Sequence, residues 1–163
     1  MDIDKAFTIL QTFEGGDKIT GNPADAGGLT RYGISHAAYP TLDIASLTAT
    51  QAKGIYGTDY WLKANCPKLK SELQYLVFDT AVNCGADTAI KLLQQAAGIS
   101  PDGIFGAQTL IKSDTVSPYE YLLLRQWRYD DIVTHRKNQL VFLGGWENRN
   151  KMIYEMGKRG ELA

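Results

Sequence analysis

A mainly α fold, of the α+β kind with one small β-hairpin lobe, is predicted by three features of the chain. Ile3, Ala6, Phe7, Leu10 and Phe13 recur at three- and four-residue steps, the spacing of one apolar helix face. Helix-start signals recur downstream, at Thr48 with Gln51, at Ser71 with Gln74 and at Ser117-Pro118 with Glu120. Only residues 17–35 break the helical pattern, with turn formers in Asp17-Lys18-Ile19-Thr20-Gly21-Asn22-Pro23 and Ala26-Gly27-Gly28 around short β-prone pieces.

Element by element, the first helix is predicted to stop at Gly15-Gly16, and an irregular hairpin region with a loop to follow it. A helix from Gln51 to Lys63 continues through Gly54 and Gly57. The next opens at Ser71 and carries Leu73, Leu76, Val77 and Val82 to a stop near Asn83 and Gly85. Asp87 to Ala97 reads as a helix closed by Gly98. Ser117 opens another that runs to about Lys137, and a last one extends from Trp146, after Gly144-Gly145, to about Lys158. Asp102-Gly103-Ile104-Phe105-Gly106 reads as a structural turn with Phe105 plugging the core. A β-containing lobe beside helices is a common setting for a site in the cleft between them.

With 163 residues, no linker and no repeat, the chain reads as one domain, 1–163, able to bury a core without metal or disulfide staples. Its formal net charge of −1 carries no broad basic field, which argues against nucleic acid as a partner. No segment is apolar for long enough to span a bilayer. Met1-Asp2-Ile3-Asp4-Lys5 lacks the basic start and apolar run of a signal peptide, so synthesis and folding in a cytoplasm are expected. Cys66 and Cys84 sit in no metal-binding spacing and read as reduced core residues; no metal or organic cofactor is implied.

Glu14 ends the first helix against two glycines, four residues after Leu10 and seven after Phe7. That phase sets it beside the apolar stripe, where partial burial would disfavour the charged carboxylate and suit a general acid. The competing reading is a solvated Glu at a helix end. Asp17 and Asp25 are the next carboxylates, and glycosidic cleavage uses two carboxyl groups. Asp25 lies in the turn-rich loop, equally well placed to cap that loop. Thr30 offers a hydroxyl to hold a water, or a methyl group to pack in a strand. Among the aromatics, which include Tyr56, Trp61, Trp127, Tyr129 and Trp146, most are expected in the core. Tyr32 is the favoured substrate contact. Asn83 suits an N-acetyl group or a simple helix stop. Asp79, one helical turn earlier, suits the cleft lining or a solvated face.

The stretches Phe13-Glu14-Gly15-Gly16 and Asn22-Pro23-Ala24-Asp25-Ala26-Gly27-Gly28-Leu29-Thr30-Arg31-Tyr32-Gly33-Ile34-Ser35 resemble the opening signature of glycoside hydrolase family 108. Weaker matches follow in order: Asp59-Tyr60-Trp61, Phe78 through Gly85, Asp102 through Gly106, and Gly145-Trp146 with Arg149. The segment from about 85 to 163 resembles that family's C-terminal, peptidoglycan-binding-like part. Asp17 and Asn22 depart from the family pattern, which has an aromatic and an Asp there. The resemblance implies a lysozyme-like fold and N-acetylmuramidase activity, with the essential Glu at Glu14. Similarity to phage-type lysozymes adds Asp25 and Thr30 as catalytic partners. It implies peptidoglycan glycan strands as substrate. A monomer that does not insert in membranes is expected from the chain itself, and, with no signal peptide, an endolysin held in the host cytoplasm until it reaches the wall or periplasm. A bacterial muramidase for secretion or wall remodelling, a non-catalytic peptidoglycan-binding protein, and a chitinase-like enzyme on related N-acetylated glycans are the alternatives.

Overall fold

The computed structural model describes residues 1–21 and 28–162. Asp25, on which one of the catalytic expectations falls, lies outside the described residues. The chain forms two compact units, Asp2–Asp59 and Tyr60–Ala163. Among the described residues, no helix is long and apolar enough to cross a membrane.

In the first unit, α1 (Ile3–Glu14) is capped by Asp2, whose carboxylate accepts from the Lys5 N–H at 2.9 Å. It buries Ala6, Phe7 and Leu10, as its periodicity predicts. Gly15 ends it in the left-handed region at φ 83°. The β part is a hairpin of two short antiparallel strands, β1 (Thr30–Arg31) and β2 (Ile34–Ser35), with Arg31 opposite Ile34 and Thr30 opposite Ser35. Thr20 adds a single bridge to Thr30 through a reciprocal pair of backbone bonds, 2.9 and 2.8 Å. The two residues between the strands, Tyr32 and Gly33, have φ of 54° and 77°. Both being positive makes this the primed turn whose twist suits a two-residue hairpin. α2 (Ala49–Tyr56) opens on the capping box of Thr48 and Gln51. It packs on α1 through the rings of Phe7 and Tyr56, 5.8 Å apart, and through an ion pair of Lys53 with Asp4. The predicted helix past Gly57 does continue, but the stretch Gly57–Leu62 is wound as a π-helix.

The second unit is built round α3 (Ser71–Cys84), which is buried continuously from Leu73 to Ala81. A helix buried on nearly every side belongs at the centre of a bundle. Trp61 meets it edge-on, 5.4 Å from Phe78. The expected capping box at Ser71 does not form. Ser71 is already helical, Lys70 is the cap residue, and the Gln74 side chain donates back to the Leu69 carbonyl at 3.0 Å. Gly85, at φ 89°, separates α3 from α4 (Ala86–Ala96). The Asp102–Gly106 turn is structural: Asp102 Oδ1 accepts from Ile104 N at 2.8 Å and from Gln94 Nε2 at 2.7 Å. Phe105 does not plug the core, however; it is half-buried, with Lys68 Nζ 5.8 Å from its ring centre.

A short helix that the sequence reading did not include, α5 (Ala107–Ser113), follows that turn. α6 (Pro118–His135) starts on its full capping box. α7 runs from Leu140 to Lys158, so Gly144-Gly145 lie inside it and do not precede it. Two interior glycines cost a helix about 1 kcal/mol each. The face α7 turns to α6 offsets this. Trp146 stacks on Tyr129 at 4.9 Å, Asn150 bonds Gln126 at 3.0 Å, and Ile153 is buried. Cys66 is buried and Cys84 half-buried, and both are free thiols, as expected of core cysteines; burial pushes both thiols up from the ordinary range.

Candidate active site

Glu14 is the last residue of α1, half-buried, and the turn of the hairpin is packed directly against it. The contact is so close that a side chain at Gly33 has no room. A Cβ there would stand 2.5 Å from the Tyr56 hydroxyl, 2.9 Å from Glu14 Oε2 and 3.0 Å from Glu14 Cβ. The turn is fixed in that position by its backbone. Tyr32 N–H donates to the Gly16 carbonyl at 3.0 Å, and the Tyr32 carbonyl accepts from Tyr56 Oη at 2.9 Å and Gln11 Nε2 at 3.4 Å. Arg31 holds the strand side, donating to the carbonyls of Asp17 (3.1 Å) and Ala45 (2.9 Å). The two glycines after Glu14 thus have different tasks. Gly15 ends the helix, and Gly16 supplies the acceptor that seats the turn.

Thr30 lies at the far end of β1 from this turn, half-buried, with its backbone bonded on both sides. By strand alternation its side chain shares a face with Ser35 and opposes that of buried Ile34. Asp17 is exposed, and its carbonyl is bonded to Arg31. The Tyr32 ring is half-buried, with the Arg31 guanidinium 5.4 Å from its centre.

In the second unit, Asp79 occupies neither the cleft lining nor the solvated face that its helical phase suggested. It is fully buried at 0% exposure, which removes it from glycan contact. Its carboxylate is shared by Arg125, at 2.7 Å, and Arg149, at 2.7 Å, while Tyr75 donates to it at 3.3 Å. Burial alone raises a carboxyl's pKa, but here the two guanidiniums prevail and hold it below the usual range. Asn83 is exposed and donates from Nδ2 to the Asp79 carbonyl at 2.8 Å, a bond within the last turn of α3.

Tyr56, Gly33 and Gln11 are the parts of the site that sequence reasoning did not select. Tyr56 carried a signal only as one of many aromatics. Its hydroxyl meets the turn because α2 packs on α1, which the local sequence does not encode.

Gly33→Ala should therefore displace Glu14 or Tyr56. With a Cβ forced into a positive-φ position as well, the expected result is about 1–3 kcal/mol of lost stability, read from thermal melts.

A mainly helical chain with one small two-stranded antiparallel sheet, and a half-buried carboxyl group at a helix end against that hairpin, has a lysozyme-like α+β fold. The family model described as Glycosyl hydrolase 108 matches residues 7–85, the segment that holds Glu14, the hairpin, α2 and α3. Over that segment, just under half of the chain, the chain is similar to the glycosyl hydrolase 108 family. It is also similar to the solved structure of Brucella abortus SagA, with a TM-score of 0.78 and 25% sequence identity over 96% of this chain and 94% of that one. A search of curated protein sequences finds no match.

Proposed function

We propose that the chain is a peptidoglycan muramidase, a lysozyme that hydrolyses the β-1,4 bond between N-acetylmuramic acid and N-acetylglucosamine. The observation that carries this reading is the packing of the Gly33 turn against the Glu14 carboxylate. It fixes one oxygen of an acid at the end of a rigid helix, which is what protonation of a leaving glycosidic oxygen requires. In this mechanism Glu14 gives its proton to the bond oxygen. Asp25 and Thr30 position the attacking water and steady the oxocarbenium-like transition state, and Tyr32 packs against a sugar ring. The biological role proposed is that of a phage endolysin. The chain accumulates as a monomer in the host cytoplasm, is released to the wall and causes lysis, with glycan strands as its reaction partner.

The test is digestion of purified peptidoglycan, with products identified by mass and by the sugar at the new reducing end. Muramic acid at that end is the expected result. Glucosamine there makes the enzyme a glucosaminidase, and the absence of new ends makes the chain a binding protein.

A further inference from the structure

We infer that the tip between α6 and α7 is a lipid-contacting surface that seats the second unit peripherally on an anionic phospholipid bilayer. This surface plays no part in the glycan reaction. Leu140, Val141 and Phe142 open α7 and are 58%, 78% and 52% exposed. Consecutive helix residues step round the axis by about 100°, so three in a row span about 200° of it. A surface helix turns part of such an arc to its core. Here all three stay more than half exposed, so the first turn of α7 stands clear of the bundle.

The tip is braced from inside. The Phe142 ring lies 6.1 Å from that of Trp146, one helical turn on, and Trp146 stacks at 4.9 Å on buried Tyr129. A single 3-10 turn, Lys137–Gln139, joins α6 to α7. So short a connection leaves Arg136 and Lys137, both exposed, immediately beside the apolar turn. Apolar side chains on a fixed support with cations next to them make an interfacial anchor, in which the apolar groups enter the boundary between headgroups and acyl chains and the cations stay among the headgroups.

The charges select the occupant. From Ile132 to Trp146 there is no Asp or Glu, although the chain carries 18 of them in 163 residues, so the tip is biased to positive sign. Elsewhere in the unit Lys91, Arg128, Lys158 and Arg159 have carboxylate partners. Among the described residues, Arg136 and Lys137 have none. Unmatched cations are drawn to the negative surface of anionic lipids. A second copy of the chain fits worse, because a symmetric contact would press the cations of both tips together. A stable protein interface takes roughly 20–30 residues a side, and one apolar turn falls far short of that. The contact is peripheral: among the described residues no helix is long and apolar enough to cross the bilayer.

The test is co-sedimentation of the full chain with vesicles of mixed phosphatidylethanolamine and phosphatidylglycerol, and with vesicles of phosphatidylcholine alone. The expected result is binding to the anionic vesicles that added salt weakens, and little binding to the neutral ones. Val141→Glu should weaken it about tenfold or more without lowering the melting midpoint, since an acid is favourable in the first turn of a helix. Arg136→Gln combined with Lys137→Gln should also weaken it about tenfold or more. An absence of binding to the anionic vesicles overturns the proposal, and self-association in sedimentation velocity that Val141→Glu abolishes then makes the turn a contact between copies. Binding that Val141→Glu leaves unchanged overturns it too, as does equal binding to the neutral vesicles. The muramidase reading is judged separately, on purified peptidoglycan free of lipid, where wild type and both variants should release reducing ends at the same rate. Vesicle binding without new reducing ends leaves the lipid surface and removes the muramidase; the reverse removes only the lipid surface.

Discussion

Glu14→Gln should abolish the release of reducing ends from peptidoglycan, lowering kcat by roughly 10²–10⁴ or more, with little change in the melting midpoint. Gln keeps the shape and the hydrogen-bonding reach of the side chain but has no acidic proton to give. Glu14 is only half-buried, so the exchange leaves the packing of α1 and the Gly33 turn intact. A variant that cuts as fast as wild type makes Glu14 structural and moves the chemistry elsewhere. The same assay separates the carboxylates that follow. Asp25→Asn should slow turnover strongly and Asp17→Asn should not, because the part of Asp17 that holds the hairpin is its main-chain carbonyl. Loss confined to the Asp17 variant reverses the two roles.

Asp79→Asn should be the most destabilising single substitution in the second unit. It leaves the guanidiniums of Arg125 and Arg149 without their shared counter-charge, and Arg125 is wholly inside the protein. Removing one partner of a buried ion pair costs about 3–5 kcal/mol. For a chain of this size that is a fall in melting midpoint on the order of 10 °C, measured by calorimetry or circular dichroism. The pH dependence follows from the same group. The folded-state pKa of Asp79 lies below its unfolded value. Its contribution is therefore complete above the unfolded carboxylate range, near pH 4, and is lost as pH falls through the lower folded value. Asp79→Asn should flatten that acid limb. A midpoint within 2 °C of wild type shows that the two arginines find other partners.

What was legible in the sequence was whatever is decided within one helical turn. The stop at Gly15, the capping boxes at Thr48 and Ser117, and the break at Gly85 are local contests between a backbone and its nearest side chains. The turn-rich interval was legible as a hairpin for the same reason. Misreadings arose where distant partners decide. Ser71 resembles a cap, but Gln74 finds the Leu69 carbonyl instead. Gly144-Gly145 resembles a stop, but the surface of α6 keeps α7 wound through it. Asp79 on a helix face can be solvated or buried, and the answer comes from an arginine 70 residues further along. At the site, the Glu-Gly-Gly motif located Glu14 at the end of α1. That Gly33 would close on Glu14, with Tyr56 locking it, depends on how α2 lies against α1.

Tyr32 has a consequence of another kind. It is one of two non-glycine residues with positive φ among those described, in a turn whose geometry Gly or Asn fills at lower cost. An L-residue there gives up about 1–2 kcal/mol. The bonds that seat the turn all run through the Tyr32 main chain, so they do not require the ring. Selection for thermal tolerance alone would drive this position to glycine. A chain that keeps an aromatic there forgoes stability for a half-buried ring on the turn that packs against Glu14, and an engineer raising the melting point at position 32 would be trading against whatever that ring touches.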